Sequence, residues 1–397
     1  MKKMLMVNGT LNDIPLVEAA HRLGFYVITS GNDPKGEAHK YADAYRPVDY
    51  SDKEAVYRLA KELQVDAICS CGNDLCAMAA AYAAEKLGLP GHDTYETARV
   101  FQEKDAFHEV TQRLGLSVPW SEDFADMEAA QKYVRTADYP LIIKPTDLGG
   151  GKGISVARNP EEALSAVVDA FTASKAKHIV VEQFITGTQH AFICYIAKGK
   201  VVFDYSSNDT SYKNSYMVWT SSGHPADGYE NVRGQIIADV ERLAQEVHAA
   251  DGILTVQYMM CNGRPYYLET MRRCLGNFHF YCISKDIGVD FYEWFVASEA
   301  GLDCQKYWEN VRFSDSTSGF IGLYAEANGI VDHLEVDEEF SKLIFRRCMF
   351  EGPGYRIEDC LHDKIGNFLF TCESKEQRDR LLARRGSLVK VVTMPEK

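Results

Sequence analysis

No apolar run in this chain comes near the roughly 18 residues that a membrane-spanning helix needs, so no membrane span is expected. There is no G-x-x-x-x-G-K-[ST] segment, which excludes a Walker-A phosphate loop. The loop after the first predicted strand, Asn8-Gly9-Thr10-Leu11-Asn12-Asp13, lacks GxGxxG, which disfavours a nicotinamide-type dinucleotide site. Positive charge is in deficit: 43 Lys and Arg against 57 Asp and Glu leave a net charge of −14. That argues against a general nucleic-acid binder, though a locally positive pocket is compatible with it. Metal-type CxxC spacing is missing as well. Eleven cysteines are scattered through predicted helices and strands, and Cys69 and Cys71 flank a single serine beside Gly72. Reduced thiols and a cytoplasmic setting are the expectation. The start, Met1 to Asn8, is basic but has no sustained apolar stretch or small-residue cleavage site, and reads as a first strand rather than a signal peptide. Low-complexity linkers, charge blocks and internal repeats are absent too.

What is present fits a soluble globular protein of two to four domains or subdomains: 397 residues, 46% apolar and 25% charged. Residues 1 to about 100 alternate strand and helix. Strands are expected at Met4 to Val7, Tyr26 to Ser30 and Ala67 to Ser70, and helices at Asp13 to Leu23, Ser51 to Leu63 and Asp74 to Leu87. That βαβαβ order implies a parallel sheet. Farther on, helices are expected at Asp105 to Leu114, Arg233 to Ala250 and Ile283 to Ala300. From about Ser316 the chain is strand-rich, with runs at Gly319 to Ala325, Leu343 to Met349, Phe368 to Cys372 and Val389 to Val392.

The chemistry concentrates in Leu141-Ile142-Ile143-Lys144-Pro145-Thr146-Asp147-Leu148-Gly149-Gly150-Gly151-Lys152-Gly153-Ile154-Ser155. An apolar strand delivers Lys144 next to a glycine-rich loop. A second apolar run, Ile179 to Val181, ends at Glu182, and a third, Tyr266 to Leu268, ends at Glu269. Lysine is a point charge for phosphate oxygens, glycine-rich N–H groups cradle phosphates, and a carboxylate carries Mg²⁺. A buried lysine needs a partner, and a phosphate supplies one.

In this order the parts resemble an ATP-grasp ligase, of the superfamily that includes biotin carboxylase, carbamoyl phosphate synthetase and the purine-pathway carboxylases. The resemblance covers nearly the whole chain. It implies a mixed α/β and α+β fold with a Rossmann-like pre-ATP-grasp domain (1–104) and a small subdomain with the glycine flap (105–185). A large subdomain with the metal site (186–315) and a C-terminal strand-rich domain (316–397) follow.

The resemblance also implies site roles. Lys104, Lys144, Gly149, Gly150, Gly151 and Lys152 would hold phosphates. The hinge Glu182-Gln183-Phe184-Ile185 would meet adenine. Gln189 stands where the family has a ribose-binding glutamate, with His190 as an alternative contact. The family's metal pattern is a Glu, then E-x-N-x-R about a dozen residues later. Here it reads Gln257, Glu269, Met271 and Arg273. Gln257 still offers a neutral oxygen, but a thioether is a poor Mg²⁺ ligand. One Mg²⁺ on Glu269 and Gln257 is expected, with Mn²⁺ as an alternative ion. Asp204 and Asp209 are the carboxylates that could compensate. Arg273 would neutralise transferred phosphoryl charge, with Lys144 as the second catalytic residue.

Candidate substrate segments are Ser206 to Lys213 and Arg272 to His279, with Tyr212, Tyr216, Trp219, His279 and Tyr281 as possible pocket walls. The implied reaction is ADP-forming: a carboxylate is activated as an acyl phosphate and coupled to an amine or similar nucleophile. A homodimer is the assembly the resemblance implies. The rival reading, motivated by Gln189, Gln257 and Met271, is a nucleotide-binding homologue with lost or altered catalysis that acts as a sensor or partner subunit.

Overall fold

The computed structural model describes residues 1–148, 153–210 and 221–394. It is a mixed helix and strand fold with four sheets, two of which wall the candidate site. In the first, β1 (Lys3–Met6), β2 (Tyr26–Thr29), β3 (Ala44–Tyr45) and β4 (Ala67–Cys69) lie in the order β3-β2-β1-β4. All pairs are parallel, as alternating apolar strands and helices dictate. The helices are α1 (Ile14–Arg22), α2 (Lys53–Leu63) and α3 (Asp74–Leu87). Alanines pack α3 closely onto the sheet, Asn73 caps its N-terminus, and Gly88 at φ 65° ends it. Then come α4 (Tyr95–Gln102) and α5 (Lys104–Arg113).

A small antiparallel sheet follows, with β5 (Ser121–Phe124), β6 (Leu141–Pro145), β7 (Ser155–Ala157) and β8 (Ile179–Gln183) in the order β5-β8-β6-β7. One face is covered by α6 (Met127–Val134) and α7 (Pro160–Ala173). The alternation in β6 puts Leu141 and Ile143 in that core, while Ile142 and Lys144 point the other way.

The largest sheet contains β9 (Thr188–Ala197), β10 (Lys200–Thr210), β11 (Ser221–Gly223), β12 (Gly252–Cys261), β13 (Arg264–Met271) and β14 (Thr317–Tyr324). It shares its far side with β16 (Ile344–Met349) and β18 (Lys364–Cys372). The order is β13-β12-β9-β10-β11-β14-β18-β16, so the ladder runs unbroken past residue 315. A three-stranded sheet of β15 (Gly329–Val336), β17 (Arg356–Ile357) and β19 (Val389–Met394) completes the C-terminal part. The helix α8 (Tyr229–Glu246) covers one face of the large sheet, and residues of the first sheet share the core on the other.

One expected helix is two. The Ile283 to Ala300 segment divides into α9 (His279–Ile287) and α10 (Phe291–Glu299). Gly288 at φ 71° terminates the first, and the Asp290 carboxylate accepts from Glu293 N to start the second. Helix α8 also begins four residues before the expected Arg233.

Candidate active site

A cavity of about 640 Å³ lies between the small sheet and the upper end of the large one. Its small-sheet wall is built by β6 and β8. Because Ile142 pairs with Glu182 and Lys144 with Val180, Lys144 and Glu182 are diagonal neighbours on one face. Lys144 Nζ lies 2.5 Å from Glu182 Oε2, and both side chains are largely buried. The pair answers why a lysine can sit at the end of an apolar strand.

The hinge follows directly. The Gln183 N–H donates to Trp120 O and the Phe184 N–H to Pro140 O, each at about 3.0 Å. Those two donors are spent on structure. Gly187 passes so close to β12 that a methyl group there would collide with the Met260 carbonyl. Ile185, Gln189 and His190 also line the cavity. His190 is 1% exposed and stacks on Tyr258 at 5.2 Å. Its Nε2 pairs with Thr188 Oγ1 at 2.6 Å, and burial holds its pKa below the usual histidine range.

The large-sheet wall carries Gln257 and Glu269, which face each other directly across β12 and β13. Lys104, in the first turn of α5, brings Nζ to 3.5 Å from Glu269 Oε2. That charge raises the pKa of the ammonium. Glu269 and Gln257 therefore offer one anionic and one neutral oxygen side by side. Among the described residues no three His, Cys, Asp or Glu side chains converge as a metal cage. The donor set fits a single hard cation that draws most of its ligands from phosphates and water.

Neither candidate for a compensating carboxylate fits that position. Asp204 is engaged by Arg233 at 2.6 Å and by Tyr229 at 2.8 Å. Asp209 does line the cavity, but it stands on β10, three strands from Glu269 in the order β13-β12-β9-β10. At ~4.8 Å per strand that is about 14 Å, too far to share an ion. Met271 is 9% exposed and packs into the core shared with the first sheet. Its Sδ lies 3.5 Å from Arg273 Nη2, so it buttresses the arginine.

Arg273 lies outside the main cavity, in an adjoining cleft with Lys104, Glu269 and Met271. Its Nε donates to Asp74, at the start of α3. Of the substrate-segment candidates, His279 is fully buried and meets Tyr205 and Phe320 edge-on, as a core residue. Tyr281 supports Arg346 at 3.8 Å. Gly149, Gly150, Gly151, Lys152, Tyr212, Lys213, Tyr216 and Trp219 lie outside the described residues. All eleven cysteines are free thiols, nine of them buried, and no described helix is long and apolar enough to cross a membrane.

Four contributors were not singled out from sequence. His108 lines the cavity and its Nδ1 pairs with Ser121 Oγ at 2.7 Å. Arg158 enters from the residue after β7, and Arg385 comes from the C-terminal part. Asp74 reaches Arg273 from 199 residues away. Only Arg158, just past the glycine loop, had a local signal.

Two family models match successive parts of the chain: the ATP-grasp N-terminal domain over residues 17–91, and the phosphoribosylglycinamide synthetase ATP-grasp (A) domain over residues 102–214. Phosphoribosylamine–glycine ligase of Agrobacterium fabrum is 31% identical over 160 residues, 38% of this chain and 37% of that protein. The Yersinia pestis enzyme is 32% identical over 164 residues, 37% of this chain and 38% of its own. These matches span well under half the length of the curated relatives. A solved L-amino acid ligase from Bacillus licheniformis superposes with TM-score 0.83 at 20% identity, covering 99% of both chains. Phosphoribosylglycinamide synthetase from Anaerococcus prevotii gives 0.79 at 18% identity, covering 99% of this chain and 100% of its own. At such identities the likeness is one of fold. Residues 17–91 and 102–214 thus match two ATP-grasp domain models in succession, and the fold around the cavity is that of the superposed ATP-grasp ligases.

Proposed function

We propose that the chain is an ADP-forming ligase. ATP phosphorylates a carboxylate, and an amine or similar nucleophile displaces phosphate from the acyl phosphate. The observation that carries this reading is the convergence of Lys104, Lys144, Glu182, Gln257 and Glu269 on one cavity bounded by a peptide hinge.

Such a reaction needs positioning and electrostatic stabilisation more than covalent chemistry from the protein. Glu182 and the hinge backbone at Ile185 receive the base. Lys144 leaves part of its contact with Glu182 to meet phosphate oxygens, and Lys104 does the same from Glu269. Mg²⁺, when bound by Glu269 and Gln257, supplies charge neutralisation at the phosphates. Arg273, steered by Asp74, faces the cleft where the acyl phosphate forms. A cytoplasmic setting and a homodimeric assembly are part of this proposal.

The test is ADP release with ATP and Mg²⁺ in the presence of pooled amino acids and small carboxylates. Substrate-dependent ADP formation, with a coupled product, is expected. Nucleotide binding without turnover on any pool would favour the sensor reading, which no observation here favours.

A further inference from the structure

Lys364, at the start of β18, is a half-buried lysine with no counter-charge among the described residues. Its ammonium lies 5.6 Å from the centre of the Phe350 ring. Burial pulls its pKa down to about 8. Beside it stands Asn367, which is 0% exposed. A Cβ on Gly322 would be 3.3 Å from Lys364 Cδ and 3.5 Å from Asn367 Oδ1, so the two side chains flank one bare glycine. Asn367 Nδ2 donates to Asn277 O at 3.4 Å, while Oδ1 has no hydrogen-bond partner among the described residues. A desolvated cation and an orphaned buried acceptor each carry a cost that a bound molecule would relieve.

These groups border the segment that leaves the candidate active site. Asn277 follows Arg273 by four residues, at most about 14 Å of chain. Phe278 stacks on Phe350 at 6.0 Å and holds a left-handed backbone, φ 61°. Such a conformation is uncommon for a bulky residue and clusters at ligand sites. Leu11, from the loop after β1, packs on the same aromatic group. The N-terminal domain, the exit of β13 and the C-terminal strands therefore meet at this point.

The chemistry that satisfies both groups is that of an α-amino acid. Its carboxylate is the anion that Lys364 lacks, and its amino group is the donor that Asn367 Oδ1 lacks. A simple inorganic anion would serve the lysine and leave the amide oxygen unpaired.

We propose that Lys364 and Asn367 recognise the amine co-substrate, and that this co-substrate is an amino acid held by its free carboxylate. The assignment rests on the ligase reading above and gives its amine a chemical class.

The test follows ADP release by the full chain with ATP, Mg²⁺ and pooled small carboxylates. Glycine and the other standard amino acids are supplied one at a time, each beside its carboxamide. Thermal melts with the same probes report binding without turnover. At least one amino acid should be used, with its amide about tenfold poorer in kcat/KM. Lys364→Met should raise KM for that amino acid about tenfold and leave KM for ATP unchanged. It should melt no lower than the parent, because it removes a desolvated charge. Lys364→Arg, which keeps the cation, should lose less than the Met variant. Equal use of acid and amide, or an unchanged KM in Lys364→Met, would overturn the assignment and leave the ligase standing. Stabilisation by an acid but not its amide, without ADP release, would support the amino-acid site and overturn the ligase reading. Neither release nor stabilisation would overturn both.

Discussion

Arg273 is oriented by Asp74, a residue on the first turn of α3 in the N-terminal sheet domain. The contact joins two parts of the chain that hold opposite walls of the cleft beside Glu269. The Arg273 side chain is 13% exposed, and that of Asp74 57%. With Met271 packed under it, the guanidinium is held from two sides.

If Arg273 neutralises the transferred phosphoryl group, Asp74 is a positioning residue. Asp74→Asn should lower kcat about tenfold, a loss of roughly 1.4 kcal/mol in the transition state, and leave ATP affinity unchanged. Steady-state kinetics beside an ATP-binding titration checks this. A rise in KM for ATP with kcat preserved would mean that Asp74 helps bind the nucleotide instead.

Lys144 and Glu182 make a sharper case. Lys144→Ala should weaken ATP binding by about 2 kcal/mol, since a charge-assisted contact to phosphate is lost from a partly desolvated site. It also strands the buried Glu182 carboxylate, so the melting temperature should fall. Adding Glu182→Gln should recover stability without recovering ATP affinity. Calorimetric titration and thermal melts separate the two effects, and an Ala variant that binds ATP normally removes Lys144 from the phosphate site.

Mg²⁺ affinity should depend on the nucleotide. With Glu269 as the one anionic ligand on its rung, titration without ATP should show little binding, and titration with ATP one ion. Gln257→Glu should raise metal affinity by adding a second carboxylate across the same rung. Met271→Asn, which would restore the family's residue at that position, should not help, because that side chain packs in the core. Tight nucleotide-free Mg²⁺ binding by the unmodified protein would show that residues outside Glu269 and Gln257 make the site.

Two groups of buried side chains give stability opposite pH slopes. Burial raises Asp209 to about 7, above the value of a free carboxyl. The folded protein then binds more protons than the unfolded chain between pH ~4 and 7, so stability falls as pH rises through that window. Burial lowers His224 to about 4 and His279 to about 3. Their neutral forms are retained by the fold, so stability falls as pH drops below ~6.5. Asp209→Asn should raise the melting temperature more at pH 8 than at pH 4. His279→Phe should flatten the acid side, as measured by thermal melts across pH.

Much of this site could be read from sequence because its parts are local. A strand lysine followed by proline, a hinge with a fixed glycine and a glutamate at a strand end are each written within a few consecutive residues. Lys104, Lys144, Gln257 and Glu269 share the cavity for that reason. What escaped depends on register and on distance in sequence. Asp209 was named as a possible metal ligand, but the strand order that sets it far from Glu269 is encoded by no single run. Asp74 meets Arg273 only because the first sheet docks against the β13 exit. The Ile283 to Ala300 apolar pattern continues through Gly288, whereas the backbone there turns left-handed and restarts at Asp290. Apolar periodicity reports the face that is buried and is blind to a break that keeps the same face inward.

The large sheet ties the C-terminal fifth of the chain to the cavity wall. Strand β11 has only three residues, and its outer edge is closed by β14. A chain shortened at residue 315 would expose that edge beside Asp209's own ladder, and open edges recruit foreign strands. Swapping the C-terminal segment between relatives would therefore be a graft onto the wall of the nucleotide chamber.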